Sequence, residues 1–519
     1  MKRLMAIVLI LVMALTVLTG CGSGSGNASP QESDPGASDK PKEAKDTIVF
    51  TQGADVTSLD PHIGKQLRAF TVTSNMFDQL VKVDENMNIA PSLAESWERI
   101  SESAVKFKLR EDVKFHNGDP LTSADVKFSF DRMMASSIVA NNVSFLESVE
   151  IVDDYSVILN TKGPYAPLLA ALTTPPCAIV PKKVVEADEK GFALNPIGTG
   201  PYKFVEWKQG EYCKLEAFDG YYGEKAKTKY VVMKVVPENT QRTIMLETGE
   251  ADVAYEVLPN DVAKIESNDK LQLLKGSSLK SVDFGFNTKS KGPVSNKLVR
   301  QAIESAIDKK GIVEGVLYGI GQPGSLSIAP ASFGYSDKFA ADKYNVEKAK
   351  SLLAEAGYKD GFEISIWTDT DQAHVEVCQV VQNQLAEVGI KANIEVLEYG
   401  TMLNKLYDGE DYDMNLAFFN NIVGDADYAL YSVFHPASKS NHSRYENQEV
   451  ADLIIKSRSE VDDAKRKEAF EKIYEIINED TPQFSIYYEE MCVAISKNVE
   501  GFKLSKIGAH RYQDVVVYK

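Results

Sequence analysis

Two short polar runs, each directly after a predicted strand, hold residues suited to contact a ligand. The first is the loop 368–372 (TDTDQ), which follows a strand predicted over 362–367, and the second is the loop 420–427 (NNIVGDAD), which follows a strand predicted over 413–419. Carboxylates accept hydrogen bonds from cations, and Asn side chains both donate and accept. In open α/β sheets, ligands collect beyond the carboxyl ends of strands. Each loop is therefore a candidate binding site, with a solvated connection as the alternative.

The sequence contains no complete motif for catalysis or for metal binding. The chain contains neither G-x-S-x-G nor H-E-x-x-H, and its six histidines are scattered. The run 319–324 (GIGQPG) fits a dinucleotide pattern, but Pro occupies its fifth position and no helix is predicted after it. The acidic pairs at 411/413 and 425/427 lack the Gly and the closing Glu of a calcium loop. We therefore predict a protein that is not an enzyme and binds no metal or cofactor.

The elements that must position the two loops are predicted by periodicity. A strand over 362–367, a helix over 374–388 and a strand over 390–396 form a βαβ unit, which implies a parallel strand pair and an α/β domain. Gly389 ends the helix of this unit.

Two further helices are predicted upstream of this unit. One begins after Asn296 with an apolar stripe at i, i+3, i+4 and i+7 spacing, and the other lies between Asn345 and Gly357. Arg300 and Asp308 lie off the apolar stripe, which predicts a solvated or interdomain face.

The N-terminus carries the pattern of a secretory signal. Lys2 and Arg3 precede an apolar run over 4–18, and the run ends in Leu18-Thr19-Gly20-Cys21. About fifteen apolar residues are few for a transmembrane helix, which needs about 20. The ending resembles the bacterial lipobox, and this resemblance implies removal of residues 1–20 and lipidation of Cys21.

A flexible segment is predicted over 21–46, between Cys21 and the first predicted strand. Twelve of the 25 residues at 22–46 are Gly, Ser or Pro, and none is aromatic. Such a composition cannot bury enough apolar surface to offset the entropy of ordering. We predict a disordered tether from a lipid to a domain that starts near Thr47.

Charge and cysteine content narrow the class of protein. The 519 residues carry a formal net charge of −18, which argues against nucleic acid as the main partner. Four cysteines besides Cys21 are widely spaced, without a C-x-x-C pair. We predict mostly buried free thiols, and one or two disulfides stay open as the alternative.

A series of short motifs follows one order along residues 47–515. They are 58–61 (SLDP), 91–97 (PSLAESW), 107–118 (FKLREDVKFHNG) with 124–126 (ADV), 195–202 (NPIGTGPY), 246–252 (LETGEAD), 299–308 (VRQAIESAID) and 349–357 (AKSLLAEAG). The ordered set resembles the solute-binding lipoproteins of peptide, nickel and related ABC importers, which are the bacterial extracellular solute-binding proteins of family 5.

The resemblance implies an α/β fold with mixed sheets, like that of periplasmic binding proteins (type II, cluster C). In this fold, three domains form a two-lobed clamp with a hinge. The implied domains are domain I over 47–82, 199–283 and 496–519, domain II over 83–198, and domain III over 284–495. Lobes that are joined by crossover strands can close around a ligand by hinge motion.

The resemblance also bears on the ligand-binding residues. Dipeptide binders of this family hold the ligand's ammonium with an Asp three residues after a Trp, and its carboxylate with an Arg. The matching stretch here is 419–422 (FNNI), and the loop 368–372 has no Arg, so both positions argue against a dipeptide pocket of that design. The run 424–430 (GDADYAL) looks like the glutathione-type branch. The ligand-binding candidates are Trp367, Thr368, Asp369, Phe419, Asn420, Asn421 and Asp425.

Asp425 or Asp427 can take the ligand's ammonium, with Asn420 and Asn421 supplying amide groups. Alternatively, both carboxylates cap a helix that begins near Tyr428, and for Asp427 the cap is the favoured interpretation.

The expected function follows from the lipobox, the tether and the family resemblance. We expect a lipid-anchored protein on the extracellular side of the cell membrane, or in the periplasm if an outer membrane exists. It would capture an oligopeptide, a dipeptide or glutathione and deliver it to ABC permease and ATPase subunits as a monomer. Uptake of a nickel chelate, haem or an oligosaccharide on the same scaffold is the alternative.

Overall fold

The computed structural model describes residues 43–63, 67–340, 342–409 and 411–519. The signal sequence, Cys21 and nearly all of the predicted tether lie outside these residues. No helix within the described ranges is long and apolar enough to cross a membrane.

The strands and helices of the first half are short. The strands are β1 Thr47–Gln52, β2 Val81–Val83, β3 Ile89–Pro91, β4 Ala94–Ser101, β5 Ala104–Leu109, β6 Leu146–Asp153, β7 Ser156–Thr161, β8 Tyr202–Lys208, β9 Tyr212–Ala217, β10 Tyr230–Val235 and β11 Val253–Ala254. The helices are α1 Leu67–Thr73, α2 Ser123–Ala135, α3 Leu168–Leu172, α4 Lys182–Ala187, α5 Glu189–Leu194, α6 Asn239–Thr248 and α7 Val262–Glu266.

The second half contains two long strands and longer helices. The strands are β12 Leu271–Phe286, β13 Gln322–Pro323, β14 Phe362–Thr368, β15 Ile390–Val396, β16 Met414–Asn420, β17 Gln483–Ser496, β18 Val499–Glu500 and β19 Val516–Val517. The helices are α8 Lys297–Ala306, α9 Lys309–Gly315, α10 Val346–Glu355, α11 Gln372–Ala386, α12 Tyr399–Asp408, α13 Ala426–Phe434, α14 Gln448–Ser459 and α15 Asp463–Asp480.

One large mixed sheet runs through the molecule in the order β15-β14-β16-β12-β17-β11-β1-β10-β9-β8, with β13 paired to β17. Strand β14 is parallel to β15 and to β16, so the predicted βαβ unit is confirmed. A separate antiparallel sheet has the order β4-β5-β7-β6.

Four larger hydrophobic cores lie apart from one another. Core I joins residues between Ile48 and Val517, including those of β1, β9 and β10. Core II lies between Leu80 and Ile179, under the four-stranded sheet. Core III packs α8, α10 and α11 on β14 and β16, and core IV gathers α13, α14 and α15.

Strands β12 and β17 connect core I to core III. They pair antiparallel from Leu271 with Ser496 to Gly285 with Gln483, and their register shifts between Ser277 and Ser281. One end of the pair packs against core I through Val493, and the other end packs in core III through Phe284. Two paired strands with a local irregularity form a connection at which the two sides can rotate.

Helix signals predict boundaries well, but the burial of Arg300 differs from the prediction. Asn296 and Asn345 cap α8 and α10 by accepting hydrogen bonds from backbone N–H groups, as expected. Arg300 is only 5% exposed, whereas a solvated or interdomain face was predicted. Its guanidinium donates to the carbonyl oxygens of Asp480 and Thr481. These carbonyls end α15, where a cation satisfies unpaired acceptors and the helix dipole.

All four cysteines of the described chain are free thiols, as predicted. Cys177, Cys213 and Cys378 are buried, and burial raises the pKa of each thiol to about 12. Cys492, on β17, is only half-buried.

Candidate functional site

The two polar loops lie at the same edge of the large sheet. They follow β14 and β16, which are parallel neighbours with Trp367 opposite Asn415. The carboxyl ends of neighbouring parallel strands point the same way, so the topology brings the loops 368–372 and 420–427 together.

The candidates Trp367, at the end of β14, and Thr368 and Asp369, in the first loop, are buried. The Trp367 ring stacks on Tyr412, with 5.1 Å between ring centroids, and packs in a small cluster beside Met402. The Thr368 side chain is fully buried. Trp367 and Thr368 therefore have no open face toward solvent, and their part in ligand binding stays a prediction.

Asp369 is 5% exposed and is held by hydrogen bonds. The His374 ring Nδ1 lies 2.8 Å from Asp369 Oδ1, and the backbone N–H of Asp371 donates to the same oxygen. Burial alone would raise the pKa of Asp369, but the contacts with His374 and Asp371 lower it below its usual value. An ionised Asp369 fixes the His374 ring, with its Nδ1–H donating.

The second loop is held by its own polar groups. Asn421 is 1% exposed and donates to Ser332 Oγ and to the Asp425 carbonyl oxygen. The ring of Phe419 lies 5.6 Å from that of Tyr428, and Asn420 pairs with Lys280 across β16 and β12. The amide of Asn421 thus fixes the loop, and ligand contacts by Phe419, Asn420 and Asn421 remain predictions.

Asp425 has structural partners for its whole carboxylate. It is the N-cap of α13 and accepts from the backbone N–H of Asp427, and Arg466 Nη2 donates to both of its oxygens at 2.8 and 2.9 Å. Burial raises its pKa to about 6, although the Arg466 charge opposes this. The cap alternative is thus realised at Asp425, and its part in ligand binding remains a prediction.

The cap interpretation of Asp427 is wrong. Helix α13 already begins at Ala426, so Asp427 lies in its first turn, where the Arg458 guanidinium donates to both carboxylate oxygens. Asp425 lies directly before the helix, and only that residue has the extended backbone of an N-cap.

A cavity of about 560 Å³ lies beside the first loop, between residues of cores I and III. Its wall includes Tyr255, Asp371, His374, Glu489, Glu490 and His510. None of the seven candidates lines it, although Asp371 and His374 come from the predicted loop or directly follow it. The adjacent glutamates at 489 and 490, in an otherwise mostly apolar strand, were the available sequence signal for this wall.

Polar contacts tie several wall residues to their surroundings. Lys280 forms an ion pair with Glu489, and its ammonium lies 4.6 Å from the Phe418 ring centroid. Glu490 accepts a hydrogen bond from the Gly321 N–H at 3.3 Å. The pKa of His510 is lowered to about 4, because burial disfavours the charged ring, while the Gly508 backbone opposes this.

A smaller cavity of about 380 Å³ lies on the other side of the segment 507–511. Alternate residues of this segment face the two cavities. Gly508 and His510 line the larger cavity, whereas Ile507, Ala509 and Arg511 line the smaller one. Arg511 in turn pairs with Asp78 at 2.5 Å.

Among the described residues, no group of three or more His, Cys, Asp or Glu side chains could hold a metal ion.

Comparison with known proteins reveals relatives over nearly the whole chain. The glutathione-binding protein GsiB of Escherichia coli O157:H7 is 27% identical over 486 residues, which cover 91% of this chain and 94% of GsiB.

Two solved structures share the fold. HbpA2 from Haemophilus parasuis has a TM-score of 0.83 and 27% identity, and the match covers 91% of this chain and 100% of the HbpA2 chain. The second is the ABC transporter-associated periplasmic binding protein DppA from Helicobacter pylori, in complex with the peptide STSA. It has a TM-score of 0.79 and 29% identity, and the match covers 92% of this chain and 99% of the DppA chain. The predicted α/β clamp of two lobes is thereby confirmed.

The model of the bacterial extracellular solute-binding proteins, family 5, matches residues 88–441, which is more than half of the chain. Proteins of this kind bind solutes for ABC importers, which agrees with the prediction that the chain is not an enzyme. The chain belongs to the bacterial extracellular solute-binding proteins of family 5.

Proposed function

We propose that this protein is lipid-anchored through Cys21 and captures a peptide-like solute between its lobes for delivery to an ABC permease and its ATPase subunits. One observation carries the proposal, which is the cavity of about 560 Å³ between cores I and III. Pockets for small ligands usually measure about 300–1,000 Å³. The relatives named for glutathione and solved with the peptide STSA support a peptide-like solute.

The ligand enters when the lobes are apart and is enclosed when they approach. Strands β12 and β17 are the proposed hinge, because their antiparallel pairing runs from core I to core III and its register shifts between Ser277 and Ser281. The proposed domains are domain I over 47–82, 199–283 and 496–519, domain II over 83–198, and domain III over 284–495. The cores support this division in outline, but part of the proposed domain II packs in core I, through Ala178, Val180, Val185 and Phe192. We also propose that the working unit is a monomer.

Isothermal titration calorimetry tests the binding function. The mature chain with Cys21→Ser is titrated with glutathione and with di-, tri- and tetrapeptides. We expect saturable one-to-one binding of at least one of them. If neither glutathione nor any peptide releases or absorbs heat, the peptide-like solute is excluded.

Metabolic labelling tests the anchor. Cells that express the full chain are fed a radioactive fatty acid, and we expect the label on the wild-type protein and not on Cys21→Ala. Equal labelling of both proteins, or none on the wild type, overturns the lipid anchor.

A further inference from the structure

The larger cavity has a strongly acidic wall. Among the residues that the structure describes, four carboxylates, of Glu256, Asp371, Glu489 and Glu490, line it together with one ammonium, that of Lys280. The ammonium is already engaged by Glu489. No arginine whose side chain the structure describes belongs to the wall. We infer that this cavity selects solutes with a net positive charge, such as peptides with a basic side chain, over neutral and anionic ones.

The carboxylates differ in how far their charge is already neutralised. The Glu256 carboxylate lies 3.3 Å from the Arg242 guanidinium, so the negative charge of Glu256 is compensated by a side chain outside the wall. Asp371 accepts only backbone N–H bonds, from Ala373 and His374, and Glu490 accepts only from the Gly321 N–H. Within the described part of the chain, neither has a cationic side chain in ion-pair contact. Asp371 and Glu490 therefore carry the charge that a cationic solute would meet.

A second, independent observation is the buried ring of His510. The side chain is 3% exposed and lines the cavity, and in the described structure neither ring nitrogen makes a hydrogen bond of ordinary geometry. A buried polar group without a partner is costly, so a ligand that supplies one gains affinity. The neutral ring can accept a hydrogen bond from an ammonium or donate one to a peptide carbonyl.

Aromatic faces complete a wall that suits a cation. Tyr255 and Tyr487 line the same cavity, and the Tyr255 ring lies 5.0 Å from that of His510. Aromatic faces attract ammonium and guanidinium groups. A carboxylate entering the cavity would meet like charge and would find Lys280 already paired. Glutathione has two carboxylates and one ammonium, so the inference places it below a basic peptide in affinity.

This inference rests on the proposed function, and one calorimetric panel separates the two. Three tripeptides that differ only at the central residue, which is lysine, glutamine or glutamate, are titrated together with glutathione. We expect the lysine peptide to bind at least tenfold more tightly than the glutamate peptide, with the glutamine peptide between them. The gap should narrow at high salt, because counterions screen partly exposed charges.

The variant Glu490→Gln tests whether the charge preference arises in this cavity. It removes one uncompensated charge and keeps the side-chain shape, so the preference for lysine over glutamate should fall several-fold. The matched control is Glu150→Gln on β6, an exposed glutamate of the four-stranded sheet, which should leave the preference unchanged.

The outcomes are distinct. Equal affinities for the three tripeptides, or tighter binding of glutathione or the glutamate peptide, overturn the charge selection and leave the proposed function standing. An unchanged preference in Glu490→Gln overturns the assignment to this cavity. Absence of binding by all four compounds overturns the proposed function itself.

Discussion

The backbone N–H of Ala166 donates a hydrogen bond of 2.8 Å to the carbonyl oxygen of Arg458. Ala166 follows Tyr165, which packs on core II, whereas Arg458 lies near the end of α14 in core IV. The Arg458 guanidinium also lies 3.9 Å from the Tyr431 ring centroid and 5.6 Å from that of Tyr165. Both a backbone bond and a cation–π contact therefore link core II to core IV.

Removing the Tyr165 ring should weaken closure. A cation–π contact at an exposed or half-exposed site contributes about 0.5–1 kcal/mol, so Tyr165→Ala should weaken solute affinity by roughly 2- to 5-fold. Small-angle X-ray scattering should show a larger radius of gyration of the ligand-free protein. The control Tyr155→Ala removes a ring at the β6–β7 turn, against the same core. Equal affinities of Tyr165→Ala and Tyr155→Ala would show that this contact does not hold the lobes together.

Replacing Asp425 should cost stability more than it changes binding. Asp425→Asn keeps an N-cap side chain but removes the buried carboxylate of Arg466, which is only 3% exposed, and leaves it the exposed Asp463 carboxylate at 3.7 Å. Breaking a buried ion pair typically costs about 3–5 kcal/mol. Urea unfolding should therefore show a large loss for Asp425→Asn and almost none for Asp462→Asn, which also replaces an N-cap aspartate, at the start of α15. Loss of affinity with unchanged stability would instead identify Asp425 as a ligand contact.

Asp283 should give stability a pH dependence opposite to that of most carboxylates. Burial raises its pKa to about 6 from 3.8, although hydrogen bonds from Ser485, Ser281 and Gln483 oppose the rise. The folded state therefore favours the neutral carboxyl. The stabilisation that the neutral Asp283 carboxyl gives to the folded state is fully present below about pH 4 and is lost as the pH rises through about 6. Its size is roughly 3 kcal/mol.

Unfolding in urea between pH 4 and pH 7 tests this. The wild type should lose stability relative to Asp283→Asn as the pH rises across that window. The exposed Asp154→Asn should run parallel to the wild type. A constant difference between the wild type and Asp283→Asn at every pH would contradict the prediction.

Cys492 should report on occupancy of the cavity. It lines the larger cavity and is half-buried, and burial raises its pKa to about 11, whereas the pKa of each of the other three described thiols is raised to about 12. In the Cys21→Ser protein, a maleimide should therefore modify Cys492 first, because the thiolate reacts. A bound peptide should slow this phase. Cys492→Ser should lack the fast phase, and a fast phase that persists in it would refute the assignment.

Local sequence patterns predict much of the scaffold. The βαβ unit at 362–396 follows from hydrophobic periodicity, and the caps at Asn296 and Asn345 follow from hydrogen-bond chemistry near the chain itself. Arg300 shows the limit, because its burial depends on the end of α15, some 180 residues later. Hydrophobic periodicity assigns a polar residue to the solvent side and cannot anticipate distant carbonyl partners.

The residues that line the cavity could not be predicted from the sequence, for the same reason. Glu256, Glu490 and His510 come from separate parts of the chain. Glu256 approaches Glu490 because β11 pairs with β17, about 240 residues later, and His510 is placed by the Asn75 side chain, which donates to its carbonyl oxygen. The candidates in the two loops came from strand ends, which correctly located the edge of the sheet. The structure adds that several of these side chains stabilise the loops from within.

The alternation along 507–511 makes the length of this segment as important as its composition. Gly508 has a left-handed backbone, with φ of 76°, and its N–H donates to the Ser505 carbonyl oxygen in a turn, so the residues after it are placed by this turn. Loss of one residue between this turn and Arg511 would shift His510 and Arg511 relative to the cavities that they line. A single codon deletion would thus alter the charge that both cavities present without replacing any side chain that lines them.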